Sequence, residues 1–339
     1  MHNNHGCLLL LNLNHIGDIL FTTPAIRALK ENFPDARIRN VVLSGMEDLL
    51  NHNPCVDEVL TRKRGPLSII KMIPKVRAGG CDTSVLFTFS SVRMAALGKW
   101  AGATTRVGFD EPGLTRFLTH PVSRRPGCHR VDWYLDLVRT IGADVRNPKM
   151  EMFTSKEERE FAADLLESVG ITKDRPTVAI SPGSSVAAKQ WFPDRYAALA
   201  DRLASDGLNV LIVGSASERE TVDEVMRKAK NPPIDIAGRT KIGQLAAVLE
   251  KCDAVVSNDT GPMHLAVSVG TPVVAIFGPT DPRITGPYCD KSKVLWEQLS
   301  CAPCGHKPTC GDFKCLQAIT VDRAFDAASE LISQRRKEK

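Results

Sequence analysis

Short apolar runs alternate along this chain with amphipathic stretches of helical spacing. Leu8 to Leu13 reads as an apolar strand, and Pro24 to Glu31 as a helix with Ala25, Ile26 and Leu29 on one face. Val41 to Leu43 and Thr83 to Phe89 are further strands. A second series starts near residue 176: strand Thr177 to Ile180, helix Pro193 to Ala204, strand Asn209 to Val213, helix Glu218 to Lys230 and helix Ile242 to Lys251. Apolar strands alternating with helices predict parallel sheets covered by helices on both faces. The pattern breaks from Asn147 to Lys156, where Pro148 and a charged, weakly periodic run intervene. Two α/β domains are therefore expected, residues 1–155 and 156–339. Each is a doubly wound parallel sheet, and the two face a cleft with ligands at the strand carboxyl ends. A final helix, Val321 to Ser333, packs back on one of them, and the QRRKEK tail is expected to be solvated or frayed.

The most telling stretch is SNDTGPMHLAVSVGTPVVAIFGPTDP, residues 257 to 282. Val255 and Val256 end one apolar run, and Asn258 to Pro262 break it. Met263 to Val269 then has helical spacing, and Pro272 to Phe277 is a second buried strand. The loop thus sits at a strand's carboxyl end and opens a helix, where free N–H groups and the helix dipole favour phosphate. Asp259, Thr260, Gly261 and His264 gather a carboxylate, a hydroxyl, a turn glycine and an imidazole there. That set suits a nucleotide diphosphate and the group attached to it; a satisfied core histidine is the lesser alternative for His264.

Two other loops follow strands in the same way. In Asn14-His15-Ile16-Gly17-Asp18, the glycine permits a tight turn and Asp18 projects where a general base toward an acceptor hydroxyl belongs. Taken alone, capping of the next helix accounts for Asp18 better. The loop is not a GxGxxG fingerprint, so a conventional dinucleotide site is not supported. In Ser181-Pro182-Gly183-Ser184-Ser185, small residues and hydroxyls can cradle phosphate, with Lys189 to neutralise it; an ordinary polar loop fits equally.

Composition narrows the classes. At 339 residues the chain exceeds one ordinary core. A net charge of +5 is too small to imply DNA binding but suits an anionic substrate or an acidic membrane surface. With aromatics at 6%, a stacking surface for single-stranded nucleic acid is not expected. No run reaches the ~18 apolar residues of a membrane span, and the N-terminus reads as the first strand rather than a signal peptide. Cys7, Cys55, Cys81, Cys128, Cys252 and Cys289 are scattered in the manner of reduced thiols. Cys301, Cys304, Cys310 and Cys315 cluster with a spacing that resembles zinc-ligand spacing. A structural zinc, labile disulfides and free thiols all stay open. No catalytic role is assigned to the cluster, because it falls outside the βα loops. Basic residues gather in the first half, at Arg62, Lys63, Arg64, Lys71, Lys75 and Arg77 and again at Arg116, Arg124, Arg125, His129 and Arg130. Most are expected to be solvated. Between Pro66 and Ala78, however, Ile69, Ile70, Ile73 and Val76 alternate with lysines, as in a segment that rests on an anionic membrane.

Three motifs, GDILFTTPAIRALKENFP, SPGSSVAAKQWFP and VVSNDTGPMHLAVSVGTPVVAIFGPTDP, occur in this order through nearly the whole chain. Together they resemble glycosyltransferase family 9, the ADP-heptose:lipopolysaccharide heptosyltransferases, and the cysteine tail is similar to that of many members. The resemblance implies a GT-B fold of two Rossmann-like domains, with the acceptor site in the first and the ADP-sugar site in the second. It implies inverting, metal-independent transfer of L-glycero-D-manno-heptose from ADP-heptose to an inner-core sugar of lipopolysaccharide, Kdo or heptose, with Asp18 as general base. Carried over in the same way, Ser184, Ser185 and Lys189 bind the ADP phosphates, Glu218 holds the ribose and Thr240 lines the adenine pocket. Asp259 holds heptose hydroxyls, Thr260 and Gly261 bind phosphate through the helix N-terminus, and His264 supports that loop. The family usually has threonines where this chain has Ser184 and Ser185, and often a histidine where it has Phe21. The implied partners are the nucleotide-sugar donor and the nascent lipopolysaccharide acceptor, without nucleic acid. The implied location is cytoplasmic, in peripheral contact with the cytoplasmic face of the inner membrane. Two other readings stand beside it: a sugar-nucleotide epimerase of the same GT-B fold, and a non-catalytic nucleotide-sugar binder, against which the retained Asp18 argues.

Overall fold

The computed structural model describes residues 5–12, 14–172, 174–305 and 310–338. Leu13, at the end of the expected first strand, and residues 306–309 of the cysteine segment lie outside them. The chain divides into two compact units, Met1–Phe153 and Thr154–Lys339.

Unit 1 runs β1 (Cys7–Leu11), α1 (Ile16–Leu20), α2 (Thr23–Asn32), β2 (Arg37–Leu43), β3 (Glu58–Arg62), α3 (Pro66–Arg77), β4 (Thr83–Leu86), α4 (Val92–Trp100), β5 (Thr105–Phe109), β6 (His120–Val122) and α5 (Arg130–Arg139). Its parallel sheet has the order β3-β2-β1-β4-β5-β6. Unit 2 runs α6 (Lys156–Ser168), β7 (Thr177–Ser181), α7 (Pro193–Ser205), β8 (Asn209–Ile212), α8 (Arg219–Lys228), β9 (Ile234–Asp235) and α9 (Ile242–Lys251). It continues with β10 (Ala254–Asn258), α10 (Gly261–Ser268), β11 (Val273–Phe277), α11 (Pro282–Thr285), β12 (Ser292–Trp296), α12 (Lys314–Gln317) and α13 (Val321–Glu338). Its sheet, also parallel, has the order β12-β11-β10-β7-β8-β9. Numbered within each unit, both orders are the doubly wound 3-2-1-4-5-6 arrangement, whose direction reverses between strands 1 and 4. The crevices for ligands therefore open between β1 and β4 in one unit and between β7 and β10 in the other.

The central strands are buried along their whole length, as in β1, β7, β10 and β11. With helices covering both faces, neither side chain row meets water, which is why the middle of each of these strands reads as an apolar run. The core of unit 2 joins Val178, Ile180, Trp191, Tyr196, Val256 and Ile276 to α13, through Ala324, Ala328 and Leu331. The C-terminal helix thus belongs to unit 2. It also continues past Ser333: Arg335 donates to the carbonyls of Gly270 and Glu250 (both 3.1 Å), so the tail is helical there rather than frayed. The charged run near residue 155 is the start of a helix. Ser155 and Glu158 form a reciprocal capping box at the head of α6.

Two features of unit 1 depart from the sequence expectation. Cys7 and Cys81 are not separate thiols but a disulfide, with Cα atoms 4.3 Å apart. They lie at the entries of the adjacent strands β1 and β4, a closeness that 74 residues of separation conceal. The apolar residues of α3 mostly turn inward. Ile69 and Val76 are buried with Met72, and Ile73 is half-buried, whereas Leu67 and Ile70 are exposed. The far end of α3 is pinned by Arg39, a buried arginine on β2. Its Nε bonds Glu58 Oε2 (2.8 Å), and its Nη atoms donate to the carbonyls of Lys75 (3.1 Å) and Val76 (3.0 Å). A Cβ at Gly79 would meet this guanidinium at 1.6 Å, so the position takes glycine.

Candidate active site

In unit 1, α1 begins directly beyond the carboxyl end of β1, at the crevice, and carries Asp18 in its first turn. The carboxylate caps neither α1 nor the following helix α2; neither has a side-chain cap. Instead Oδ1 accepts a hydrogen bond from Nη1 of Arg130, the first residue of α5. The capping alternative for Asp18 is thereby corrected. Both side chains are largely buried, so the pair is only weakly screened by water. Oδ2 accepts no hydrogen bond among the described residues. The Arg130 guanidinium lies over the rings of Phe89 (5.3 Å) and Phe21 (5.9 Å). Phe21, where the family often has histidine, therefore serves as an apolar floor under the arginine. His129 packs edge-on against the same ring at 5.2 Å, and its Nδ1 accepts from the Val131 N–H (3.1 Å). Tyr134, one turn along α5, is fully buried. Burial pushes its hydroxyl pKa up, and the negative charge of Asp18 adds to the shift. From β3, Arg62 reaches the same loop and donates to Asn14 Oδ1; its burial, then the charge of Arg64, lowers its pKa.

In unit 2, Ser181 and Ser257 are register partners, so the loops after β7 and β10 leave the sheet side by side. Asn258 joins them. Its Oδ1 accepts from the Trp191 N–H (3.0 Å) and the Tyr196 hydroxyl (3.1 Å), and its Nδ2 donates to the Pro182 carbonyl (2.8 Å). Lys189 Nζ then bonds Asp259 Oδ2 at 2.6 Å, and the Thr280 hydroxyl donates to the same oxygen at 2.8 Å. Asp259 is buried, so this bonding compensates the removal of its charge from water. Ser184 is buried, with Oγ accepting from the Val186 N–H (3.1 Å), while Ser185 is exposed. Thr260 is the N-cap residue of α10, which Gly261 opens and on which His264 is buried.

Glu218 lies in a short 3-10 turn just before α8, not inside that helix as its position in the pattern indicated. Its Oε2 accepts from the N–H (2.7 Å) and hydroxyl (2.8 Å) of Ser215. It also presses against the loop after β7: a Cβ on Gly183 would stand 2.3 Å from Oε1. Thr240 is half-buried in the loop between β9 and α9, two residues after Gly238, whose N–H bonds the Gly214 carbonyl (2.8 Å). The structure thus gathers Ser184, Ser185, Lys189, Glu218, Thr240, Asp259, Thr260, Gly261 and His264 along the strand carboxyl edge of unit 2 and places Asp18 at that of unit 1.

Cys301, Cys304, Cys310 and Cys315 are free thiols. Among the described residues no group of three or more His, Cys, Asp or Glu side chains is placed to hold a metal ion. The segment is not remote from the βα loops, however. The N–H groups of Cys304 (2.9 Å) and Gly305 (2.8 Å) both donate to the carbonyl of Pro279, the neighbour of Thr280. Cys315 is buried, which pushes its thiol pKa up, with Cys310 and Cys304 contributing. Sequence reasoning missed Asn258 and Thr280 and did not pair Arg130 with Asp18. The one visible signal was a polar residue, Asn258, closing an apolar strand.

A profile of glycosyltransferase family 9 (heptosyltransferase) matches residues 70–312. The lipopolysaccharide core heptosyltransferase OpsX of Haemophilus influenzae is 26% identical over 295 residues, 85% of this chain and 83% of that protein. The crystal structure of a family 9 glycosyl transferase from Veillonella parvula superposes with a TM-score of 0.88 at 26% identity, covering 98% of this chain and 99% of that one. ADP-heptose lps heptosyltransferase II of E. coli superposes with a TM-score of 0.83 at 23% identity, covering 97% and 99%, a likeness of fold. These superpositions make the two Rossmann-like units a GT-B fold. Of the three readings that the sequence left standing, transfer is the one the relatives carry. The profile takes in the loops after β7, β8 and β10, and the chain belongs to glycosyltransferase family 9, the heptosyltransferases, as an enzyme of glycosyl transfer.

Proposed function

We propose that this glycosyltransferase moves L-glycero-D-manno-heptose from ADP-heptose to an inner-core sugar of lipopolysaccharide, with inversion, and that Asp18 is the general base. The observation that carries the assignment is the state of Asp18. It stands at the crevice of unit 1 with one oxygen engaged by Arg130 and the other open to a proton. Arg130 orients the carboxylate, as a base must be oriented to meet an acceptor hydroxyl within hydrogen-bond reach. The acceptor hydroxyl gives its proton to Asp18 Oδ2 as its oxygen bonds to the anomeric carbon. The bond from that carbon to the β-phosphate oxygen breaks on the opposite side, and ADP leaves with the electron pair. The charge gathering on ADP is met by Lys189 and by the N-terminal N–H groups of α10, groups already fixed before reaction. Ser184 and Ser185 add hydroxyls to the phosphate loop, and Asp259, Thr260 and Gly261 lie where the sugar and phosphate meet, supported by His264. Glu218 and Thr240, on the neighbouring loops, fit the ribose and the adenine.

The acceptor is carried by a lipid, so the enzyme works in peripheral contact with the cytoplasmic face of the inner membrane. The test is ADP release from ADP-L-glycero-β-D-manno-heptose, with and without Kdo2-lipid A or its heptosylated form. Acceptor-dependent release supports the assignment and identifies the core position; no release with any acceptor overturns it. Asp18→Asn is expected to abolish transfer and leave ADP affinity nearly intact. Full activity in that variant, or a large loss of ADP binding, would remove Asp18 from the role of base.

A further inference from the structure

Unit 1 carries one helix whose outward face is both apolar and basic. Residues 59–81 hold six lysines and arginines and no acid. Within this run α3 buries Ile69, Met72 and Val76 and turns Leu67, Ile70, Lys71, Pro74 and Lys75 outward. Positions 67, 70, 71 and 74 share one helical face. Leu67 is 69% exposed and Ile70 58%, the two most exposed large apolar side chains among the described residues. Lys63 and Arg64, also exposed, precede the helix directly. A lone exposed apolar side chain is ordinary; Leu67 and Ile70 on one turn, flanked in the sequence by four exposed cations and with no acid in the segment, make a surface of a particular kind.

We infer that the first turns of α3 seat this enzyme on an anionic lipid bilayer. Leu67 and Ile70 enter the headgroup layer, while Lys63, Arg64, Lys71 and Lys75 meet lipid phosphates. Charge complementarity selects the partner: a second copy of the same face would bring its cations against these, whereas an anionic bilayer satisfies both halves of the pattern. Topology supports the direction. α3 starts where β3 ends, at the carboxyl edge of the sheet, and Arg62 ties that corner to Asn14 in the loop leading to Asp18. A surface touching Leu67 therefore lies on the Asp18 side of unit 1, where a lipid-borne acceptor must present its sugar; only this direction rests on the proposed function.

The experiment is sedimentation of the full chain with vesicles of phosphatidylethanolamine and phosphatidylglycerol, against vesicles of phosphatidylcholine, in the absence of donor. Binding to the anionic vesicles alone is expected. Leu67→Ser with Ile70→Ser should weaken it about tenfold for each side chain, and Lys71→Gln with Lys75→Gln about fivefold for each charge. ADP affinity should be unchanged in both variants, which shows them folded. Undiminished binding of the serine variant, equal binding to phosphatidylcholine, or no binding by the parent protein would overturn the inference. So would a parent dimer in analytical ultracentrifugation that the serine variant dissolves. Because the vesicles carry neither donor nor sugar acceptor, the inference and the proposed reaction fail separately.

Discussion

Asn258 makes four buried hydrogen bonds, two accepted and two donated, the weakest a 3.4 Å bond to the Gly183 carbonyl. Asn258→Ala removes them together. The Trp191 N–H and the Pro182 carbonyl lose their side-chain partner, and Tyr196 keeps only its longer bond to the Ser181 carbonyl (3.2 Å). A buried polar group left unsatisfied costs about 1–3 kcal/mol. Two orphaned groups and one weakened bond therefore amount to roughly 3–5 kcal/mol, a large part of the ~5–15 kcal/mol that holds a domain together. In urea, with a slope of about 2 kcal/mol per molar, the unfolding midpoint of unit 2 should fall by roughly 2 M. Trp191 is fully buried beside the lost bond, so in a background with Trp100, Trp133 and Trp296 replaced by Phe its fluorescence reports the transition of unit 2. Since the same side chain joins the loops after β7 and β10, ADP affinity should fall with stability. A midpoint shift under about 0.5 M would correspond to less than ~1 kcal/mol, and it would refute the view that Asn258 holds the two loops together.

Two further outcomes follow from charged pairs. Lys189→Ala should weaken ADP binding by about 10- to 100-fold, the worth of a charge-assisted hydrogen bond; isothermal calorimetry showing unchanged affinity would exclude Lys189 from the phosphate site. In unit 1 the hydrogen bond from Arg39 holds the Glu58 carboxyl below its ordinary range, against the opposing effect of burial. A carboxyl depressed on folding adds stability above its unfolded pKa and loses it as pH falls through the folded one. Glu58→Gln should accordingly destabilise unit 1 near neutral pH, with a difference that closes below about pH 4. A difference that stayed constant across this range in urea titrations would mean that packing, not charge, connects the two residues.

The fold was legible where burial is complete. β1, β7, β10 and β11 announce themselves because helices on both faces bury both rows of side chains, leaving apolar runs in which the polar residues Thr177, Ser181, Ser257 and Asn258 come only at strand ends. The outer strands did not. β3 is only half-buried, β6 is His-Pro-Val with two exposed positions, and β9 has two residues, so none produces an apolar run. The head of α6 was marked by Ser155 and Glu158, a three-residue spacing overshadowed by the charges around it. The loops of the site could be located because each interrupts a buried strand with small or polar residues. Their internal bonding was hidden: Lys189 and Asp259 are 70 positions apart, Asp18 and Arg130 are 112, and such pairings arise only once the sheet order is set. The disulfide of Cys7 and Cys81 escaped for the same reason.

Arg39 has a consequence for how force passes through unit 1. It clamps the last turn of α3 to β2 and β3, while Leu67 and Ile70 stand at the opposite end. The helix is therefore seated along its inner face by Ile69, Met72 and Val76 and anchored at its far end by Arg39. Whatever engages Leu67 and Ile70 cannot simply bend α3 away; the load passes into the sheet through the packing of Ile69, Met72 and Val76 and through Arg39 and Glu58. A bilayer held at Leu67 would thus set the tilt of β1 and of Asp18 beyond its end, giving the enzyme one angle of approach rather than a loose tether. Loosening that anchor, as in Arg39→Met, should leave vesicle affinity largely intact but let amide exchange along α3 quicken on bound vesicles. Equal protection in both proteins would show that the packing of Ile69, Met72 and Val76 suffices to hold the helix.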